Sequence, residues 1–364
     1  MGRETTGWVP PHCPNPNCIN FNTLSPSWPF KRKGFFERQR SPHRIQRFTC
    51  LVCRRHFSTQ TFSTSYWQKR PELMARIVMM VVGCMGNRQM SRALRCSPST
   101  VAHHVARLGR HCLLIQATEL DRIKELNEVV IDGFETFEWS QYFPFHHNVA
   151  VDVESGYFLY HTDSPLRRKG RMTAHQKVRR AHLETSLGRP DPRAIEAGVR
   201  ALLEPLVSHR LTSIRSDDHR AYPRAIRRLG AGVTHRITSS KERRHRRNPL
   251  WEVNLLDLMV RHSTAAHKRE TIAWAKRRQA SIEKLAIFQV WRNYMKRRHE
   301  KGAAVTPAMQ LRLATRPWGL RDLLARRLYV EKTELPARWQ EYYRRNVVTR
   351  ALTVNRMHEL RYAY

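Results

Sequence analysis

The chain has 364 residues, 41 % of them hydrophobic, so it can build more than one folded unit around a genuine core. Lysine and arginine number 66 against 30 acids, a formal charge of +36 spread along the whole length, which points to a polyanion as partner. The longest apolar run, 77–85, is too short to span a bilayer, no hydrophobic leader follows Met1, and seven cysteines is an odd number; membrane-spanning and disulfide-stapled secreted classes are therefore not expected, and a soluble, cytoplasmic protein is.

Four of the cysteines form two close pairs, Cys13 with Cys18 and Cys50 with Cys53, each among turn formers or basic residues. Thiolates match zinc in softness, and short spacing lets one turn present two sulfurs at about 2.3 Å from the ion. The four are the expected ligands of a structural zinc ion, with His12 or His56 as a possible substitute for one of them and four reduced structural cysteines as the bland alternative. Phe48 and Phe57 should pack the accompanying small sheet. A unit of this size is expected to lack a core of its own and to unfold without metal.

From Pro71 the apolar residues Leu73, Ile77, Met80, Val81 and Cys84 recur at helical spacing until Gly86-Asn87 breaks the pattern. A short second helix over 88–94 follows. Ser97 is then a candidate N-cap and Pro98 a first-turn proline, opening a helix over 98–110 with Val101, Val105 and Leu108 on one side. Its other side carries Ser99, Thr100 and His103, candidates for base edges, and Arg107 and Arg110, candidates for phosphates. This is the pattern of a helix-turn-helix that lays its second helix in the major groove. A three-helix unit that binds nothing has the same pattern. A linker helix is expected over 113–126.

Beyond it the residues become β-branched and aromatic. Strands are expected over 128–137, 147–153 and 157–161, with a hairpin turn at Glu154-Ser-Gly156, then a helix over 192–206, a strand over 211–216, a helix over 220–229 and a strand over 233–238. This mixed order implies a central sheet flanked by helices. Asp132 and Asp217 end apolar, strand-like runs, and Glu252 opens a segment of helical periodicity. Carboxylates converging from separate elements suit two divalent cations at a scissile phosphate, although single acids at such positions are often caps. Helical spacing turns Glu252 to the side of Leu256 and Met259, where a buried carboxylate needs a cation. Asp257 is the other candidate for third acid, with an ordinary ion pair to Arg261 as its alternative explanation. The basic clusters 167–171 and 241–247 could grip phosphates or remain solvated surface. The aromatics Trp318, Trp339, Tyr342 and Tyr343 near the C-terminus are expected to pack against the sheet domain.

Four stretches carry a resemblance: 47–58 with its Cys50-Leu-Val-Cys53 knuckle, Val130-Ile-Asp-Gly133, Ser216-Asp-Asp-His-Arg-Ala-Tyr222, and Lys268-Arg-Glu-Thr-Ile-Ala-Trp-Ala-Lys276. In this order they resemble the insertion-sequence DDE transposases of the insertion sequence one type. The resemblance, which spans roughly 13–294, implies a multidomain chain: a zinc ribbon (1–66), an all-α helix-turn-helix (67–116) and an α/β RNase H-like mixed sheet (127–300); the remainder, 301–364, with a linker at 302–307, reads as a helical basic C-terminal region. The resemblance also implies DNA strand cleavage and strand transfer by Asp132, Asp217 and Glu252 with two magnesium or manganese ions. Asp218 is a rival to Asp217. The implied partner is double-stranded DNA, element ends and target, bound by a homo-oligomer associated with the nucleoid. A transposase-derived DNA-binding regulator without activity is the competing expectation.

Overall fold

A computed structural model describes residues 8–23, 27–39, 42–230, 232–355, 357 and 358. The N-terminal unit is a three-stranded antiparallel sheet in the order β1 (Phe30–Glu37), β2 (Arg44–Cys50), β3 (His56–Ser58). Phe48 and Phe57 face each other across β2 and β3 and stack with ring centroids 5.4 Å apart, and Trp28 stacks on Phe57 at 5.9 Å. Phe21, Phe62 and Tyr329 complete a buried aromatic cluster. This corrects the expectation of a coreless unit. Its buried members come from the unit itself apart from one ring, Tyr329, supplied by the C-terminal segment.

Helices α1 (Leu73–Val82), α2 (Asn87–Ala93) and α3 (Pro98–Leu120) follow. The Ser97 hydroxyl accepts the Thr100 amide, and Pro98 occupies the first turn, where its missing N–H costs nothing. The sequence predicts a break between 110 and 113, but α3 is a single helix of 23 residues. Nothing between Arg110 and Leu113 breaks it, and burial of its C-terminal half carries it onward.

The central sheet has the order β6-β5-β4-β7-β8, formed by β4 (Glu128–Phe137), β5 (Pro144–Asp152), β6 (Phe158–Pro165), β7 (Ser213–Asp217) and β8 (Thr234–Thr238). The first three strands are antiparallel neighbours, whereas β7 runs parallel to β4 and β8 parallel to β7. The expected hairpin turn joins β5 to β6, with Gly156 at φ +66°. Between β6 and β7 lie α4 (Ala174–Leu187), which buries none of its residues, and α5 (Ala194–Val207), whose Val199, Leu202, Leu203 and Leu206 join the core. A helix α6 (Ala221–Arg227) links β7 to β8.

On the opposite sheet face, α7 (Trp251–Ser263) sets Val253, Leu256 and Val260 against Val130, Phe134, Val149 and Val151. Because side chains alternate along a strand, Asp132 shares that face with Val130 and Phe134. Next comes α8 (Arg278–Val290), extended by one π-helical turn over Trp291–Met295. It lies along α3. Gly109 makes the approach possible, since a Cβ there would stand 2.7 Å from the Glu283 backbone. Through this contact α1 to α3 and the sheet share one continuous buried cluster.

The C-terminal region, with α9 (Pro307–Gln310), α10 (Leu320–Ala325) and α11 (Ala337–Arg344), folds back on both units. Trp318 stacks on Tyr294 at 3.9 Å, and Trp339, Tyr342 and Tyr343 are buried. The buried Asp163 of β6 accepts from Arg278, Arg338 and Tyr342, so the aromatics and arginines of this region serve as its anchor. Among the described residues no helix is long and apolar enough to cross a membrane.

Candidate functional site

Cys13, Cys18, Cys50 and Cys53 bring their sulfurs within 4.8 Å of one another, and among the described residues they are the only group of three or more potential ligands gathered so closely. Cys13 and Cys53 sulfurs are 3.6 Å apart, and those of Cys18 and Cys50 3.8 Å. A tetrahedron with bonds of about 2.3 Å has edges of about 3.8 Å, so the cluster could hold a metal such as zinc. His12 and His56 are otherwise engaged, the first with the Cys13 carbonyl and the second with the Thr49 hydroxyl. Burial pushes the Cys13 and Cys18 thiols up. At Cys53 burial is outweighed by hydrogen bonds from Asn15 and the Arg55 amide, which bring it down to about 6.

On α3, Ser99 and His103 are exposed and Thr100 half-buried, on the N-terminal turns that leave the molecule's core. Arg107 and Arg110 do not join them. Arg107 is 4 % exposed and donates to the Thr64 carbonyl. Arg110, 6 % exposed, sits against Glu283 and Tyr343, its pKa lowered by burial. As drawn, neither can reach a phosphate. The outer face expected to reach Arg110 ends at His103, about two turns earlier, because the segment at Thr64, α8 and the C-terminal region cover the rest.

The acid site is set by strand register. Residues 128, 129 and 130 of β4 lie beside 213, 214 and 215 of β7, and continuing that pairing brings Asp132 level with Asp217 on adjacent parallel strands about 4.8 Å apart. Both point to the α7 face. The Asp132 carboxyl is raised to about 7, first by burial and then by the charges of Asp217 and Asp257, against the lowering effect of the Gly133 amide and of Arg244. The Tyr222 hydroxyl donates to Asp132 at 3.4 Å, and Asp217 accepts the His219 amide at 2.9 Å. The neighbouring Asp218 is exposed and bonded to Ser240, turned away from Asp132.

Glu252 is not part of this group. It accepts from Arg298 at 2.8 Å, and its carboxylate abuts Gly156 in the β5–β6 turn, where an added Cβ would be 2.8 Å away. That turn lies at the start of β4, since the Val153 amide donates to the Glu128 carbonyl. From Glu128 to Asp132 the strand advances about 13 Å. One helical turn beyond Asp257, Arg261 stands over the Phe134 ring at 5.5 Å, so α7 runs alongside β4 and Asp257 comes down beside Asp132. Asp257 also pairs with Arg261, both of its oxygens 3.1 Å from the guanidinium. Helical spacing placed Glu252, Leu256 and Met259 on the buried side of α7, but the buried residues are Val253, Leu256 and Val260, which leaves Glu252 and Asp257 on the two flanks of that side.

Three further groups at the site went unassigned in the sequence reading. Tyr222 lies within the quoted 216–222 stretch, and its position five residues after Asp217 is the signal that a helix returns it to the strand end. Arg244 belongs to the exposed 241–247 cluster and is the member that reaches the Asp132 charge. His146, beside Gly133 and feeling both Asp217 and His219, has its pKa lowered by burial. No sequence signal marked it. No protein-family model matches the chain, and no curated protein matches it.

Carboxylate oxygens beside arginines form a hard donor set, suited to magnesium or manganese rather than to a soft ion. Magnesium takes one or two carboxylates and keeps several waters; the three acids are not gathered as closely as the cysteine quartet.

Proposed function

We propose that this protein is a DNA transposase of the DDE type, which binds the ends of a mobile element and performs metal-dependent strand cleavage and strand transfer. The observation that carries the reading is Asp132, held near neutrality by burial and by Asp217 and Asp257, in a chain of charge +36. Three carboxylates from two strands and a helix repel one another unless a cation or a proton intervenes. The sheet order, three antiparallel strands followed by two parallel ones, accords with an RNase H-like domain.

In this reading Asp132, Asp217 and Asp257 are the acids, and Glu252 is a structural partner of Arg298. Two divalent cations, when bound, would activate a nucleophile and steady the leaving oxygen. The chain itself does the aligning. Tyr222 fixes the orientation of Asp132, while Arg244 and its neighbours in 241–247 hold phosphates at the mouth of the site. Ser99, Thr100 and His103 meet base edges, and a zinc ion in the cysteine quartet keeps the ribbon folded. Two element ends brought together call for at least two protomers.

The test is incubation of the protein with magnesium and DNA carrying the terminal repeats that flank its coding region. Strand cleavage by the wild type, lost in Asp132→Asn and Asp257→Asn with DNA binding retained, supports the proposal. Tight, end-specific binding with no cleavage by the wild type would identify a regulator instead.

A further inference from the structure

Between the ribbon and the helical unit runs an open groove of about 820 Å³, lined by Arg38, Trp67, Lys69, Arg70, Thr100 and His103 among others. Its described lining residues carry three permanent positive charges and no acid, although one of the three, Arg70, pairs with the neighbouring Glu72 at 2.9 Å. One wall is the end of β1, and the other is the first turns of α3. The first turns of α3 are tied through His104 to the chain at Arg70, the ring nitrogens lying 2.8 Å from the Thr100 carbonyl and 2.9 Å from that of Arg70. The groove is thus a built feature of the junction.

Its most unusual member is Trp67, which is 80 % exposed although it is the largest apolar side chain the code offers. Its backbone is left-handed at φ +59°, a conformation that costs a non-glycine residue of order 1 kcal/mol or more. Two turns hold it there, the Tyr66 amide on Ser63 and the Gln68 amide on Ser65. Tyr66 touches the ring edge-on at 5.9 Å. The chain therefore holds an indole in water at a cost in both solvation and backbone energy, in a basic channel that continues from the exposed face of α3.

We propose that this groove binds unpaired DNA, one base stacking on Trp67 while Arg38, Lys69 and Arg70 follow the phosphates. A ring presented this way gains nothing from a duplex whose bases are already stacked; an unpaired base offers it a free π-face. Positive charge accounts for the backbone, and stacking on the indole is tolerant of sequence because every base offers a π-face. The inference deepens the transposase reading and rests on it for its biological setting. Duplex at an element end lies along α3, and a frayed or displaced strand leaves through the groove.

Binding to the full-length, zinc-loaded protein in magnesium-free buffer tests it, using fluorescence anisotropy on labelled oligothymidine and on a duplex of equal length. Trp67→Ala should weaken oligothymidine binding by about 5- to 150-fold, the range of one stacked base, and change duplex binding by less than about twofold. Trp67→Phe should recover most of the loss. A 2-aminopurine placed in the oligonucleotide should be quenched by the wild type and not by Trp67→Leu, an arm that stands if the alanine variant misfolds. Undiminished oligothymidine binding by Trp67→Ala, or an equal loss on duplex, overturns the proposal. If that happens while Asp132-dependent cleavage persists, only the groove is withdrawn. If strand selectivity holds where no cleavage is found, the enzymatic reading falls alone.

Discussion

Removing the Asp132 charge should make the metal-free protein more stable at neutral and alkaline pH. Its carboxyl rises from 3.8 in the free residue to about 7 in the fold. The folded protein therefore retains a proton that the unfolded chain has already released, so stability falls as pH climbs from 3.8, and the loss is complete above about 7. At 1.36 kcal/mol per pH unit this interval amounts to about 4 kcal/mol at most. Relaxation and water entry lower the effective figure, and roughly 2 kcal/mol is expected. Asp132→Asn keeps the shape and cannot ionise. Thermal and denaturant midpoints measured without magnesium should coincide for the two proteins near pH 4 and separate by pH 8, the variant being the more stable. Magnesium should then raise the wild-type midpoint and leave the variant where it was. A wild type more stable than Asp132→Asn at pH 8 without metal, or a gap independent of pH, would refute the idea that Asp132 is frustrated by its neighbours.

The third acid is separable in the same way. Asp257→Asn should reduce cleavage by about a hundredfold or more, with little net change in the midpoint because relief of repulsion at Asp132 offsets the lost pair with Arg261. Glu252→Gln should leave cleavage per folded molecule intact and cost roughly 1–3 kcal/mol, because Arg298 loses its partner; the opposite pattern would restore Glu252 to the site. Cys50→Ser should lower bound zinc measured by elemental analysis. Structural zinc supplies on the order of 10 kcal/mol, so hydrogen exchange should quicken across the ribbon and around Tyr329 while the central sheet stays protected. Arg110→Ala should destabilise by about 3 kcal/mol, since Glu283 is left buried with less compensation, without altering the salt dependence of DNA binding. Neutralising Arg243 and Arg244 together should instead flatten the slope of log affinity against log salt by about 1.8, at about 0.9 per phosphate contact.

Much of this was written locally. The paired cysteines, the Ser97-Pro98 helix start, the turn at Glu154-Ser-Gly156 and the alternation of β4 depend on residues within a few positions of one another, and steric preference, capping and side-chain period act over that range. The proposed acids Asp132 and Asp217 stood out for the same reason, each ending its own apolar run, although Asp132 lies within β4 rather than at its end. What the sequence left undecided was every quantity set by distant packing. Periodicity placed only Leu256 of the buried side of α7, and whether Glu252 or Asp257 stands beside Asp132 depends on how the helix is turned and how far it slides along β4, fixed by Arg261 over Phe134 and by Glu252 against the β5–β6 turn. Arg107 and Arg110 look like a phosphate-binding face until the segment at Thr64, α8 and the C-terminal region close over them, and the ribbon's own rings pack into a core that Tyr329 joins from the far end of the chain. Local sequence chooses the elements and their sides because those are short-range steric matters; the height, depth and company of each side chain are settled only when the elements compete for the same buried space.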